Sequence, residues 1–370
     1  MNKILRKAFT VITVVLAIST PRTFAQSSVR FMDSMQIIGS SCVSCHSNFP
    51  VNNEQAWAQN GGVISGLTFV IPGDPTNSLL WQRLHGIGGT IMPPSGQLPQ
   101  TQLDTISNWI ADFRSSLANA STRLSVQTGP NIAIAGFIIT GQSQKVVIRG
   151  LGPTLSQFGV QGILANPQLF LFNEAGQVIA SNDNWQTGNQ VNEIQSSGFA
   201  PGSAFEPVLI ATLPPGKYTA QLRGVNNTTG VALVEVYGLP QTSPVNLSNL
   251  STRGLVQTGG NIMIGGFIIT GISQKVVIRG LGPTLSQFGV QGILADPQLL
   301  LFNGARQVIA SNDDWQTGNQ VNEIQSSGFA PAFPLESVII ATLPPGNYTA
   351  QLQGFNNTTG VALVEVYIFP

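Results

Sequence analysis

From residue 121 onward the chain is written in short runs that are either apolar throughout or alternate apolar with polar positions. They cover 131–140, 145–149, 168–172, 177–180, 208–212, 218–222 and 231–237. In 217–223, Tyr218, Ala220 and Leu222 fall on one side, and Lys217, Thr219, Gln221 and Arg223 on the other. A period of two with one apolar face predicts a half-buried antiparallel strand. Turn residues such as Pro214-Pro215-Gly216 and Asn226-Asn227-Thr228-Thr229-Gly230 separate the runs. Seven such strands in about 120 residues predict a two-sheet sandwich.

The pattern before residue 121 is different. Phe31, Met35 and Ile38 recur at helical spacing, as do Leu103, Ile106, Ile110 and Phe113. Thr101 followed by Asp104 resembles a capping box for the second of these helices. Residues 78–84 predict a short third helix, beyond the breaker Pro72-Gly73-Asp74-Pro75. A small all-α domain with long loops is therefore expected over 29–116.

The β pattern is written twice. Residues 121–240 return as 251–370 at an offset of 130, with 98 of 120 aligned positions identical. The repeating unit is long enough to be a domain, so this is a tandem pair and not a short-period solenoid. The expected organisation is a leader over 1–25, a helical domain over 29–116, a first β-sandwich over 121–240, a linker over 241–250 and a second sandwich over 251–370. The predicted fold class is multidomain, all-α followed by two all-β antiparallel sandwiches.

Composition alters this picture in two ways. Only 9% of the 370 residues are charged, against about 25% in an average soluble domain. Scarce Lys and Arg argue against a nucleic-acid partner, which requires clustered cations to displace phosphate counterions. At the N-terminus, Lys3, Arg6 and Lys7 precede an apolar stretch over 8–18, and Thr23-Phe24-Ala25 offers small residues at cleavage spacing. That is the layout of a secretory signal peptide, with an uncleaved anchor as the alternative. Loss of 1–25 removes four basic residues and no acid, leaving 12 against 16 and a net charge of −4. The expected location is periplasmic, extracellular or at the cell surface.

An exported chain normally uses cysteines for disulfides, yet the only two here are Cys42 and Cys45. A bridge between them would close almost no loop. Together with His46 they form Cys-x-x-Cys-His, the pattern of covalent haem attachment. Two thiols add across the porphyrin vinyl groups, and the adjacent imidazole reaches the iron. Met92, in the Pro-stiffened stretch Met92-Pro93-Pro94, is the candidate distal ligand, with His85 as the alternative. A redox dithiol, or a zinc site using Cys42, Cys45, His46 and His85, is the competing reading.

These residues carry a resemblance. Cys42, Cys45 and His46, then Gly73-Asp74-Pro75, Met92-Pro93-Pro94 and Trp109-Ile110, resemble a class I c-type cytochrome domain of the planctomycete-type secreted kind. The resemblance implies His46 proximal and Met92 distal on one haem c. It also implies single-electron transfer to an unidentified redox partner in place of catalysis. The two β copies resemble a secreted bacterial sandwich repeat, through Arg-Gly-Leu-Gly-Pro-Thr-Leu and Val-Ala-Leu-Val-Glu-Val-Tyr. On this reading they space, anchor or assemble the haem unit.

Two other functions stay open. One is an adhesive or structural protein whose repeats bind glycan, a cell surface or further copies of themselves. The other is a haem enzyme or sensor with Met92 displaced. In the repeats, Asp183, Asp313 and Asp314 could join Glu206 or Glu336 as hard oxygen ligands for Ca²⁺. An Asx-type turn ahead of Trp185 and Trp315 explains them more simply. Arg149 and Arg279 are expected to form internal salt bridges or to donate to backbone.

Overall fold

A computed structural model describes residues 26–42, 63–64, 67–71, 74–112, 116–140, 143–239, 247–270 and 273–368. The leader 1–25 and the pair Cys45 and His46 lie outside the described residues.

The N-terminal part contains helix α1 (Gln26–Ser41), a two-stranded antiparallel hairpin of β1 (Val63–Ile64) and β2 (Leu67–Thr68), α2 (Leu79–Leu84) and α3 (Gln100–Asp112). Met35, Ile38, Leu84, Leu103, Ile106 and Ile110 meet in one apolar cluster, which is the heptad-like face that the sequence spacing predicts. Thr101 does not cap α3. It lies inside the first turn, where its carbonyl accepts from Thr105 Oγ1 at 2.8 Å, while Gln100 Nε2 donates to Asp104 Oδ1 at 2.8 Å.

Among the described residues eighteen strands are formed, and sixteen of them belong to one hydrogen-bonded network. The first copy supplies β3 (Ser116–Val126), β4 (Ala133–Ile139), β5 (Gln144–Leu151), β6 (Pro167–Phe172), β7 (Val178–Asn182), β8 (Val208–Leu213), β9 (Gly216–Gly224) and β10 (Gly230–Gly238). The second supplies β11 (Leu247–Val256), β12 (Met263–Thr270), β13 (Gln274–Leu281), β14 (Pro297–Phe302), β15 (Val308–Asn312), β16 (Ser337–Leu343), β17 (Gly346–Gly354) and β18 (Gly360–Ile368). Alternation appears where it is predicted: β4 and β6 are buried at every second residue, and Tyr218, Ala220 and Leu222 of β9 point inward. β5 and β10 are buried on both faces. Their outer face is covered by Trp185 and by α4 (Val191–Ser197), whose Ile194 packs against Val147 and Tyr237. The second copy repeats this with Trp315 and Ile324 of α5 (Val321–Ser327).

The two copies are not separate sandwiches. β3 pairs with β10 of its own copy on one edge and with β12 of the other copy on the opposite edge, from Ile264↔Arg123 to Thr270↔Ser116. β11 pairs with β18 of its own copy and lies along β4 of the first, meeting it at Leu247↔Ile139. One layer therefore runs β8-β5-β10-β3-β12-β17-β14-β15, and the other β16-β13-β18-β11-β4-β9-β6-β7. Each layer takes half its strands from each copy, and one apolar cluster fills the space from Phe137 and Leu222 across to Phe267 and Leu352.

The expected fold class is corrected on both counts. The chain is mostly β, dominated by one large antiparallel network, and the helices before it share their segment with a hairpin instead of forming an all-α domain. Two independent sandwiches are replaced by one body because the first strand of each copy is hydrogen-bonded on both edges. If so, a protease site placed within 241–245 should yield two fragments that elute as one species in native size exclusion and part only in denaturant. Elution as two separate species would contradict a shared body.

Candidate functional site

Cys42 follows the last turn of α1. Its amide donates to Ile38 O at 2.8 Å, and its side chain is buried in the cluster that also holds Leu84 and Trp109. One thiol of the Cys-x-x-Cys-His motif is thus placed, while Cys45 and His46 fall outside the described residues. Both candidate distal ligands are described. His85 ends α2 with its ring stacked on Trp81, centroids 3.9 Å apart, and its Nδ1 lies 2.8 Å from Trp81 O. Met92 is half-buried, and its amide donates to Arg83 O at 2.9 Å. That bond ties the loop after α2 back onto the helix. Arg83 runs beneath the loop, so that a Cβ on Gly89 would collide with its guanidinium. Leu84 of the same helix packs in the cluster with Cys42. Cys42 and the Met92 loop therefore rest on one small core.

Some charges of the β body are turned inward, while Lys217 and Glu174 pair on its surface. Arg149 Nε and Nη2 donate to Glu235 Oε2 at 3.0 and 2.6 Å, Nη1 donates to Phe199 O at 2.9 Å, and Tyr237 Oη donates to Glu235 Oε1 at 2.7 Å. The guanidinium lies 5.4 Å from the Phe199 ring centroid. Burial pulls the Arg149 pKa down, but the adjacent Glu235 more than offsets it, leaving it raised. Arg279, Glu365, Phe329 and Tyr367 repeat the arrangement. Both arginines thus do what the sequence predicted, and the pattern missed their acidic partners because β10 and β18 read as plain apolar strands.

Glu206 is fully buried. Its Oε1 accepts from Gly152 N and Thr154 N, both at 2.8 Å, and its Oε2 accepts from Thr154 Oγ1 at 2.5 Å. Burial raises its pKa, and these donors oppose the shift. Gly152 is required because a Cβ there would strike the Leu164 carbonyl. Glu336 binds Gly282 and Thr284 in the same way. Both oxygens of each carboxylate accept bonds from these protein donors.

Asp183, Asp313 and Asp314 sit in the turn before the buried Trp of each copy. There Asn182 Nδ2 donates to Asn184 O at 3.3 Å, and Trp185 Nε1 donates to Ser203 O at 3.1 Å. The structure brings Asp313 and Asp314 together and adds Asp296. Asp183 occupies the matching corner of the other copy, where Asn166 and Asn184 stand in place of Asp296 and Asp314. One oxygen each of Asp296, Asp313 and Asp314 is buried with no hydrogen-bond partner. Desolvation, then the charge of Asp314, raises the Asp296 pKa, and desolvation followed by Asp296 and Asp314 raises that of Asp313. Among the described residues no group of three or more His, Cys, Asp or Glu is arranged to hold a metal ion. The signal for Asp296 was present in the sequence, as a neutral-to-acidic difference between the copies.

No family model matches the chain, and no curated protein matches it. Among solved structures, it is similar to a DUF4785 family protein from Legionella pneumophila, at 12% identity with a TM-score of 0.25. The match covers 69% of this chain and 61% of that one, so the chain spans about three-fifths of the length of that protein. It is also similar to a chain of Sulfolobus Turreted Icosahedral Virus, at 11% identity and a TM-score of 0.19, covering 70% of this chain and 89% of that one.

The likeness to class I c-type cytochromes is withdrawn. The chain is mostly β, its N-terminal helices do not make an all-α unit, and no metal-holding group is found among the described residues. The cytochrome designation goes with it.

The acidic corner makes a pH prediction. A carboxyl whose folded pKa lies above its unfolded value binds its proton more tightly when folded. Its contribution favours the fold below the unfolded value and is lost as pH rises through the folded one. Asp296→Asn, which restores the residue of the first copy, should therefore raise Tm at pH 7, and the gap to the parent should narrow by pH 4. Equal gaps at both pH values in thermal melts would contradict this.

Proposed function

We propose that the chain is an exported structural β-repeat protein that assembles outside the cytoplasm through its β body, with an accessory haem carried by the N-terminal segment. The observation that supports assembly is the chemistry of two of the four terminal strands, β7 and β15. Among the described strands, β7 pairs only with β6, and β15 only with β14. Both edges are the same pentapeptide, Val-Ile-Ala-Ser-Asn, and each exposes two large apolar side chains: Val178 and Ile179, or Val308 and Ile309. Soluble proteins usually blunt such edges with Lys, Pro or a covering loop, because unpaired strands template association. Here the same open edge stands at both ends of one body. A second chain can dock at either end, so growth is head-to-tail or end-to-end and not confined to a dimer.

Sedimentation velocity of the mature chain over a hundredfold concentration range should show mass increasing with concentration. The doubly substituted Val178→Lys/Val308→Lys chain should stay at monomer mass. A parent that is monomeric throughout would sink the assembly reading, and binding of the parent to immobilised glycan would then favour surface adhesion.

The haem reading rests on the motif alone and does not need the family likeness. The donor set fits the group, since two thiols at this spacing form thioethers and the adjacent imidazole is an iron ligand. Cys42 and Cys45 would hold the porphyrin, His46 would bind the iron, and Met92 or His85 would complete its coordination. The bound group would supply a one-electron Fe(III)/Fe(II) couple. The part of the described chain in this is to bury the Cys42 side chain against α3 and to pin the Met92 loop to α2 through Arg83. Expressed with haem-maturation machinery, the parent should give a pyridine haemochrome spectrum and retain its colour through denaturing electrophoresis. Cys42→Ala/Cys45→Ala should lose both. A colourless parent ends this reading and leaves the assembly reading untouched.

A further inference from the structure

The seam between the copies places equivalent residues against each other. β3 and β11 run parallel, with Leu117 opposite Leu247 and Ser125 opposite Leu255, each pair separated by the repeat offset of 130. Thr122 Oγ1 and Thr252 Oγ1 are 2.8 Å apart. Ser121 Oγ donates to Gly266 O at 3.3 Å, and Ser251 Oγ donates to Gly136 O at 3.4 Å, which is the same bond made in both directions. This is an isologous contact about a pseudo-two-fold axis lying along the two strands.

Symmetry fails where the copies differ along these strands: Ser125 stands opposite Leu255, and the largest break lies one residue earlier. Leu124, 1% exposed, faces its own equivalent, and that equivalent is Gly254. A Cβ on Gly254 would run into Leu124 Cδ1, with Met263 Cε a further 3.7 Å neighbour. Met263, fully buried, corresponds to Ala133 in the first copy, also fully buried. The first copy is thus large at 124 and small at 133, and the second is small at 254 and large at 263.

We propose that this seam is a recognition surface for a module of the opposite kind: the first copy fits the second, and neither fits another of itself. Two first copies would set Leu124 against Leu124 on the axis. Two second copies would face Gly254 with Gly254, lose the Leu side chain that fills the axis and bring two Met263 side chains beside it. Close-packed interiors tolerate neither overlap nor cavity, whereas an exchange that conserves total volume is accepted. The partner is therefore a complementary copy of this chain's own module, reached within one chain or between two. The surface lies at the centre of the body and is independent of the outer edges.

The test uses four full-length chains: the parent, Gly254→Leu, Leu124→Gly, and the exchanged variant Leu124→Gly/Ala133→Met/Gly254→Leu/Met263→Ala. Both single variants should lose several degrees of Tm, and the exchanged variant should recover most of that loss. If Gly254→Leu does not fold at all, recovery of folding in the exchanged variant carries the same information. An exchanged variant whose loss equals or exceeds the sum of the singles, or single variants that melt with the parent, would overturn the proposal. Gly254→Leu chains carry two knobs and Leu124→Gly chains two holes, so refolding them together should give a mixed dimer in native mass spectrometry. A mixture that yields only the species each forms alone would overturn recognition between chains.

Discussion

The body depends on one constraint: β3 has no bare edge. Its backbone is bonded to β10 of its own copy and to β12 of the other. A strand hydrogen-bonded on both sides cannot be peeled away without stranding polar groups on two neighbours, each of which is expensive to leave unmade in a buried setting. Because those neighbours belong to different copies, the copies cannot separate without breaking a ladder, and the two apolar interiors merge. The buried polar residues of β3 follow from this position. Thr122 reaches Thr252, Ser121 reaches Gly266 O, and Arg123 Nη2 reaches Gly260 O at 2.6 Å. Burial lowers the Arg123 pKa to about 10, the direction expected for a cation held away from water.

The scarcity of charge takes on meaning from the same geometry. Inside a two-layer body that wraps a continuous core an ionised group is costly, and four of the buried charges form two matched ion pairs. Arg149 with Glu235 and Arg279 with Glu365 pin the covering loops through Phe199 O and Phe329 O, and Glu206 and Glu336 clamp the Gly-Pro-Thr turns. Breaking such a pair leaves a buried uncompensated charge, at a cost of about 3–5 kcal/mol. Pairs of this kind fix the position of a loop better than they add to net stability.

Much of this fold was legible, and the failures share a cause. β4, β6 and β9 alternate because one face is in the core and one is not, so a period of two is visible in the letters. β3 reads as Ser-Leu-Ala-Asn-Ala-Ser-Thr-Arg-Leu-Ser-Val, with buried polar residues that satisfy partners 130 positions away. A local pattern cannot carry that, and the strand was missed along with the single body it creates. Glu235 was hidden inside an apolar run for the same reason. Asp296 was readable, but only by comparing the copies for charge. At the N-terminus, helical spacing around 31–38 and 103–113 was extended into an all-α fold, and the Cys-x-x-Cys-His motif with three short stretches into a family. The motif specifies thiol and imidazole chemistry, and it does not specify the backbone that presents them.

Duplication within one chain lets the two copies differ where they meet. On a two-fold axis a side chain meets itself, so one bulky residue at that position becomes two in the same space, and one small residue becomes a gap. A homodimer of identical modules has no escape from this, because any substitution is applied twice. Fusing the modules into one chain removes the restriction, since position 124 and position 254 are encoded separately. A Leu on one side and a Gly on the other fill the axis once, and the Met263–Ala133 difference runs in the opposite sense. In a pair that keeps 98 of 120 positions the same, divergence at residues that touch their own equivalents is what close packing on a broken symmetry axis requires.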